Sequence, residues 1–224
     1  MAVDSAGNLL IADTSNNRVR VVAVKTGTFY GQAMHAGDIY TVAGGGTGGL
    51  GNGGPATSAQ LNQPRGMVVD GTGNLLIADS GDGMVRAVAV ATGTFYGQAM
   101  TAGDIYTVAG NGTQGFTGDG SAATAAELFG PAGLLQDSAG NLVLTDLGNN
   151  RVRVVAETTG TFYGQAMTTG DIYTVAGNGT AELIGDGGPA TAAGLANPMG
   201  ITADGTGNLL IADVNNNRVR EVTH

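Results

Sequence analysis

The sequence predicts an all-β protein built from four copies of one unit. Gly accounts for 41 of the 224 residues, while charged residues make up only 12% and hydrophobic residues 42%. So much Gly disfavours helix interiors, and the combination of low charge with high hydrophobicity is unlike that of a disordered chain. The motif Gly-Asn-Leu-Leu-Ile-Ala-Asp begins at Gly7, Gly73 and Gly207, and a variant of it begins at Gly140. This spacing of 66 or 67 residues indicates internal repetition.

Each unit contains four short apolar runs bounded by Gly, Asn and Asp. In the second unit these runs are residues 66–70, 74–79, 84–90 and 104–110. Their lengths and their β-branched and aromatic content are typical of strands. The second run is apolar at alternate positions on both faces, so its sheet must be covered on both sides. Four-stranded units that cover one another predict a β-propeller, in preference to a solenoid with one or two strands per turn.

The connections between the runs support this assignment. First and second strands are joined by tight turns such as residues 70–74, and second and third strands by segments such as residues 13–18. The connection between third and fourth strands carries an aromatic pair and a Met, as in Phe95, Tyr96 and Met100. We expect these side chains to pack as a small satellite core; the alternative is a repeated aromatic ledge for a ligand. The loop between blades contains a predicted helical turn at 122–128 that ends in a buried Leu.

The repeat divides the chain into units 1–65, 66–132, 133–199 and 200–224 of one propeller domain or part of one. The first three strands occur four times and the fourth only three times, so the last blade is predicted to lack its outer strand. An unpaired sheet edge favours association. Three alternatives follow: four blades close alone, the chain is part of a longer array, or two copies complete one ring as a homo-oligomer.

Two sets of residues resemble the NHL repeat. They are Pro-Arg-Gly-Met-Val-Val-Asp from Pro64 followed by the motif at Gly73, and Asp-Leu-Gly-Asn-Asn-Arg-Val-Arg from Asp146. The loop from Gly185 to Leu195 resembles a long-repeat bacterial variant. The resemblance implies a propeller of NHL-type blades that binds partners on one face, at an extracellular or cell-surface location. The second unit departs from the pattern, because Met84 stands where the others have Arg.

Composition excludes several classes of function. The net charge is −9, and seven of the nine cations belong to the repeated motif, so no basic surface for nucleic acid is expected. There is no Cys, which rules out disulfides and thiolate chemistry. No apolar run approaches the 18 residues of a membrane span. The start of the chain has no basic or apolar leader, so no signal peptide is predicted within it.

The turn between second and third strands supplies the candidate site residues. An Asp and an Arg five residues apart are predicted to form a structural ion pair across the hairpin: Asp13 with Arg18, Asp146 with Arg151, and Asp213 with Arg218. This turn and the loop between blades are predicted to share one face. Its polar lining would be Asn16, Asn17, Asn149, Asn150, Asn216 and Asn217, and Asp82 is the residue that breaks the pattern.

Catalysis has few candidate groups. The only histidines are His35 and His224, too few for a three-His zinc site. Asp4, Asp70, Asp137 and Asp204 end the first strands; they are either a carboxylate ring around a channel or, as we favour, caps of the following turns. No cofactor is predicted, although calcium at Asp119 or Asp186 remains an alternative.

The function predicted is therefore a non-enzymatic binding or scaffold module for protein or glycan. The first alternative is a metal-dependent lyase or hydrolase with a carboxylate-lined channel. The second is an engineered or excised repeat with no native ligand.

Overall fold

Four antiparallel sheets follow one another along the chain and form the blades of a β-propeller. The computed structural model describes residues 1–223. Within them the only helices are single 3-10 turns: Thr14–Asn16, Ala56–Ser58, Ser80–Asp82, Ala123–Ala125, Leu147–Asn149 and Ala190–Ala192. None of these helices is long or apolar enough to cross a membrane. The predicted all-β class is confirmed.

The strands recur in the same order in each blade. Blade 1 contains β1 (Ala2–Val3), β2 (Leu9–Asp13), β3 (Arg18–Val22), the hairpin β4 (Gly27–Phe29) and β5 (Gln32–Met34), and β6 (Ile39–Gly44). After the linker strand β7 (Gly54–Pro55), blade 2 contains β8 (Pro64–Val69), β9 (Leu75–Asp79), β10 (Met84–Val88), the hairpin β11 (Gly93–Phe95) and β12 (Gln98–Met100), and β13 (Asp104–Ala109).

The third and fourth blades continue this order. After β14 (Ser121–Ala122), blade 3 contains β15 (Pro131–Gln136), β16 (Leu142–Asp146), β17 (Arg151–Val155), the hairpin β18 (Gly160–Phe162) and β19 (Gln165–Met167), and β20 (Asp171–Ala176). Blade 4 contains β21 (Pro198–Ala203), β22 (Leu209–Asp213) and β23 (Arg218–Val222). Its sheet has only these three strands, as the missing fourth repeat predicts.

Both faces of blade 2 are apolar because the neighbouring blades cover both of them. In β9, all of Leu75 to Asp79 are buried. Leu75 and Ile77 pack against blade 1, and Leu76 packs against blade 3. Residues of a strand alternate between the two faces of a sheet, so neighbouring blades cover both. The predicted helical turn ends in Leu128, which is fully buried between blades 2 and 3.

Three buried clusters hold the blades together. They join blade 1 to blade 2, blade 2 to blade 3, and blade 3 to blade 4. Within residues 1–223, no buried cluster joins blade 4 to blade 1. Val219 in β23 is accordingly 72% exposed, whereas its counterparts Val19, Val85 and Val152 are fully buried.

A linker strand lies outside the fourth strand of the next blade. β7 pairs with β13 and β14 pairs with β20, which places each fourth strand between a third strand and a linker strand. The corresponding residues before blade 4 are Gly188 and Pro189, which are not part of a strand. Among residues 1–223 no fourth strand lies beside them, because the sheet described for blade 4 ends at β23.

Candidate functional site

The structure pairs each Asp of the turn with a different Arg from the one predicted, two residues further along the third strand. Each Asp pairs with the second Arg of the third strand: Asp13 with Arg20, Asp79 with Arg86, Asp146 with Arg153 and Asp213 with Arg220, at 3.9, 3.6, 3.6 and 3.3 Å. The first Arg instead donates to backbone carbonyls of its own turn: Arg18 to Asn16, Arg151 to Asn149 and Arg218 to Asn217. The second Arg lies two residues further along the third strand; Arg86 and Arg153 are fully buried there with their Asp partners, whereas Arg20 and Asp13 are partly exposed.

The Gly-rich loops provide further partners for the second Arg. Arg153 donates to Asp119 at 2.7 Å and to the carbonyls of Thr117 and Glu127. Arg220 donates in the same way to Asp186 at 2.6 Å, and Arg86 to Asn52 at 2.9 Å. The two carboxylates considered for calcium are therefore bound to guanidinium groups. A cation at either position would compete with an Arg.

Burial changes the acidity of two of the paired carboxyls. It raises the pKa of Asp79 to about 7 and that of Asp146 to about 6, from an ordinary value near 4. In both, loss of hydration outweighs the stabilisation from the adjacent Arg. Because both side chains are fully buried between blades, these groups contribute to the scaffold and have no access to a substrate.

The Asn residues of the turn bond to the protein itself. Asn16, Asn149 and Asn216 donate to the Asp that precedes them by three residues, at 2.8, 2.9 and 2.9 Å. Asn17 and Asn150 accept from the backbone of Gln63 and Asn197, at the start of the next blade. Asn17, Asn150 and Asn217 have positive φ, which this residue type tolerates. Asp82 accepts from Asn62 at 2.9 Å. The surface predicted to bind a partner therefore lies where these turns meet the segment that leads into the next blade. Its use as a binding surface stays a prediction.

The carboxylates that end the first strands cap turns, as we favoured. Asp70 Oδ1 accepts from the backbone of Thr72 at 2.9 Å and of Asn74 at 2.8 Å, and its Oδ2 accepts from the Asn74 side chain at 3.0 Å. Asp4, Asp137 and Asp204 make equivalent bonds. Their oxygens are occupied by the turns. Residues 1–223 contain no group of three His, Cys, Asp or Glu side chains placed to hold a metal; His35 is exposed in a turn, and His224 lies outside the described residues.

The aromatic hairpins pack against the blades. Met34, Met100 and Met167 are buried, and the Phe and Tyr residues join the clusters between blades. Each Tyr hydroxyl donates to the turn Asp of its own blade, most closely in Tyr163 to Asp137 at 2.9 Å. Burial raises the pKa of these hydroxyls further above their ordinary value, as in Tyr163. The prediction that these side chains pack is confirmed, but they extend the clusters between blades and do not form a separate satellite core.

A groove of about 690 Å³ lies beside β23 and is hereafter called the blade 4 groove. Its floor is apolar and is formed by Val175, Ala176, Ala193 and Leu195. One wall is the free edge of β23, and the other is the loop 185–191. The Arg220–Asp186 ion pair crosses it. A smaller cavity of about 470 Å³ lies between the first turn of blade 1 and the second unit.

Comparisons with known proteins identify the fold. No protein-family model and no curated protein matches the chain. Similar solved structures include a structural genomics protein of unknown function from Bacteroides thetaiotaomicron, with a TM-score of 0.68 and 20% identity over 98% of this chain and 45% of that one. Others are an auxiliary nutrient binding protein from the same organism (0.59, 14%, 98% and 46%) and a streptogramin B lyase (0.55, 12%, 100% and 50%).

The fold is that of a β-propeller. The chain spans about half the length of these three propellers, and identities this low carry the architecture alone. The resemblance of its motifs to the NHL repeat is not confirmed by these comparisons and stays a prediction.

Sequence reasoning missed two parts of the site. The loop partners of Arg86, Arg153 and Arg220 were not foreseen, although the second Arg recurs in all four units while the first is Met84 in unit two. The recurrence of the second Arg, but not of the first, in all four units was the sequence signal that could have identified the residue paired with each Asp. The groove itself was not predicted.

Proposed function

We propose that the protein is a non-enzymatic propeller module that binds a protein or glycan partner in the blade 4 groove. The observation that carries this proposal is the groove itself. Among the described residues it combines an apolar floor, which includes Val175 and Leu195, with the ion pair between Arg220 and Asp186. A concave surface with mostly apolar walls and a few directed polar groups is the usual form of a binding site.

Two further observations favour a non-enzymatic binding module over the alternative function, a metal-dependent lyase or hydrolase. The oxygens of Asp4, Asp70, Asp137 and Asp204 are already used by turn donors. Of the two carboxylates that line the groove, Asp186 is bound to Arg220 and Glu221 accepts from the side chain of Asn208. A structural neighbour that is named as a nutrient binding protein is consistent with a binding role for such a scaffold.

A screen followed by matched variants tests this function. The full chain is immobilised and exposed to panels of peptides and oligosaccharides, with binding measured by biolayer interferometry. Thr161 lines the groove and Thr94 holds the same exposed position in blade 2, outside it. Thr161→Trp should weaken binding of a hit about tenfold by filling the groove, whereas Thr94→Trp should leave it unchanged. Equal effects of the two variants, or chemical conversion of the hit detected by mass spectrometry, would contradict the proposal.

A further inference from the structure

A cleft lies between blades 1 and 2, and its counterpart between blades 2 and 3 is bridged by side chains. The cleft is the cavity of about 470 Å³ that the first turn and the aromatic hairpin of blade 1 form with blade 2, hereafter the blade 1–2 cleft. Between blades 2 and 3, a Cβ on Gly97 would lie 3.3 Å from the Cα of Gly170. A Cβ on Gly31, the counterpart of Gly97, would meet nothing within 4 Å beyond its chain neighbours. Tyr96 of the bridged interface is accordingly 3% exposed, whereas Tyr30 is only half-buried.

Two side chains of blade 3 make the bridge. Gln136 Oε1 accepts from the backbone N–H of Gly71 at 2.6 Å, and its Nε2 donates to the carbonyl of Gly140 at 3.2 Å. Glu157 Oε2 accepts from the backbone N–H of Tyr96 at 2.7 Å. One carboxamide and one carboxyl therefore satisfy two backbone N–H groups of blade 2.

Blade 2 carries valines where blade 3 carries the bridging side chains. Val69 holds the position of the bridging carboxamide in the repeat, and Val90 that of the bridging carboxyl. A valine side chain accepts no hydrogen bond, and the N–H groups of Ser5 and Tyr30 have no acceptor within residues 1–223. All four residues line the cleft. The difference between the two interfaces therefore lies inside the repeat, between blades whose facing elements are all described.

The two donors of blade 1 have the same local backbone as their counterparts in blade 2. The φ of Tyr30 is 49° and that of Tyr96 is 50°, so the two N–H groups point the same way relative to their hairpins. The turn that contains Ser5 is capped by its first Asp with the same three bonds as the turn that contains Gly71. Backbone N–H groups removed from bulk water are normally bonded to protein, ordered water or a ligand. The bridge between blades 2 and 3 therefore indicates which chemistry satisfies donors placed in this way.

We propose that the blade 1–2 cleft binds a ligand that carries a neutral carboxamide, as glutamine and a Gln side chain do. The carboxamide takes the position that Gln136 has at the next interface. Its oxygen accepts from the N–H of Ser5, and its nitrogen donates to the carbonyl of Gly73, which also lines the cleft. The methylene groups of the ligand pack against the two valines, and a second carbonyl of the ligand accepts from the N–H of Tyr30. This site is distinct from the blade 4 groove and goes beyond the proposed function.

The charges around the cleft favour a neutral ligand over an acidic one. Asp4 lines the cleft, and its Oδ2 already accepts from the Tyr30 hydroxyl at 3.2 Å. A ligand carboxylate beside it would be repelled, in a chain whose net charge is −9. At the bridged interface, burial raises the pKa of Glu157 above its ordinary value, against the hydrogen bond from Tyr96 and with a further contribution from Asp70. A negative charge is thus disfavoured at this position even where the chain itself supplies it.

Nuclear magnetic resonance of the full chain tests the site with internal controls. Isotopically labelled protein is titrated with N-acetyl-L-glutamine amide, which is neutral and carries a side-chain carboxamide. The backbone amide resonances of Ser5 and Tyr30 should shift saturably, whereas those of Gly71 and Tyr96 should not. N-acetyl-L-methionine amide has a side chain of similar length without the carboxamide and should bind about tenfold more weakly. Equal binding of the two compounds would overturn the proposal.

Two reciprocal variants exchange the bridge between the interfaces. Val69→Gln with Val90→Glu places the bridging side chains in the cleft and should abolish binding. Gln136→Val with Glu157→Val removes them from the other interface and should create a second site, so that each chain binds two ligands. Wild-type affinity in the first variant, with a circular dichroism spectrum like that of the wild type, would refute the proposal. A folded second variant that still binds a single ligand would do the same.

The source of the carboxamide is decided by comparing L-glutamine with the capped amide. Tighter binding of L-glutamine would assign the site to a free amino acid, and tighter binding of the capped amide would assign it to a Gln side chain of a peptide; either result supports the carboxamide. Thr161→Trp changes only the blade 4 groove and should leave this binding unchanged, so the two sites can fail independently. Loss of carboxamide binding in Thr161→Trp would place the ligand in the groove and overturn the assignment to the cleft.

Discussion

The repeat allows one buried ion pair to be compared with its own exposed counterpart. Arg153 is fully buried, bonds to Asp119 and to two loop carbonyls, and lies 3.6 Å from the buried Asp146. Arg20 occupies the same position in blade 1, but its side chain is 28% exposed and its carboxylate is 3.9 Å away. Its Nε has no hydrogen-bond partner among the described residues. Arg153→Met and Arg20→Met are therefore the same chemical change in two environments.

The two changes should differ greatly in cost. Arg153→Met leaves the Asp146 carboxyl buried without its cation, a change that typically costs about 3–5 kcal/mol. Arg20→Met removes a solvent-screened pair of about 0–1 kcal/mol. In a chain of this size 1 kcal/mol corresponds to about 2–4 °C in Tm, so the expected losses are about 10 °C and about 2 °C.

Differential scanning calorimetry and urea denaturation measure both costs. Replacing the partner as well, in Asp146→Leu with Arg153→Met, should recover much of the loss because no charge is then left buried. If Arg153→Met and Arg20→Met lower the free energy of unfolding equally, the loop contacts contribute nothing. The reasoning that burial makes Arg153 more costly to replace than Arg20 would then be wrong.

Three further predictions concern packing, the hairpins and pH. A Cβ on Gly66 would overlap a backbone oxygen of the next inner strand, whereas one on Gly200 would meet its nearest atom at 3.6 Å; Gly66→Ala should therefore cost about 1–3 kcal/mol and Gly200→Ala almost nothing, as thermal unfolding would show. Tyr163→Phe removes a hydrogen bond to the Asp137 carboxylate and should cost about 1–2 kcal/mol in urea denaturation, unless water replaces the hydroxyl. Burial raises the pKa of Asp79 to about 7 in the folded protein, so between about pH 4 and pH 7 the folded state binds a proton that the unfolded state has lost. Its contribution to stability should therefore increase as the pH falls from 8 to 5, and Asp79→Asn should remove that part of the pH dependence; an unchanged profile would contradict the shift.

The element pattern was readable from sequence because it depends on local chemistry. The predicted strand 74–79 corresponds to β9 at Leu75–Asp79, and the predicted strand 104–110 to β13 at Asp104–Ala109. Strand β8 begins earlier than predicted, at Pro64, since its pairing partner on β9 extends the ladder across a bulge. The turn caps of the first strands were also correct, because an Asx turn involves residues only two to four apart.

The partners of the Arg side chains could not be read in this way. Cross-strand register places Arg151 directly opposite Asp146, and from sequence that is the natural pair. The contact that forms instead, with Arg153, depends on carbonyls from a loop more than twenty residues away. Contacts between distant segments are set by how blades pack, and local spacing carries no information about them.

The sequence by itself determined the class of the protein and its repeat, since each follows from residue types at fixed spacing. Only the tertiary structure decided that a groove with an apolar floor and two walls lies beside β23. The walls come from β23 and from residues such as Gly187 and Ala190 of the preceding linker. These segments are remote in sequence and meet only because blade 3 packs against blade 4, which buries the apolar faces of both.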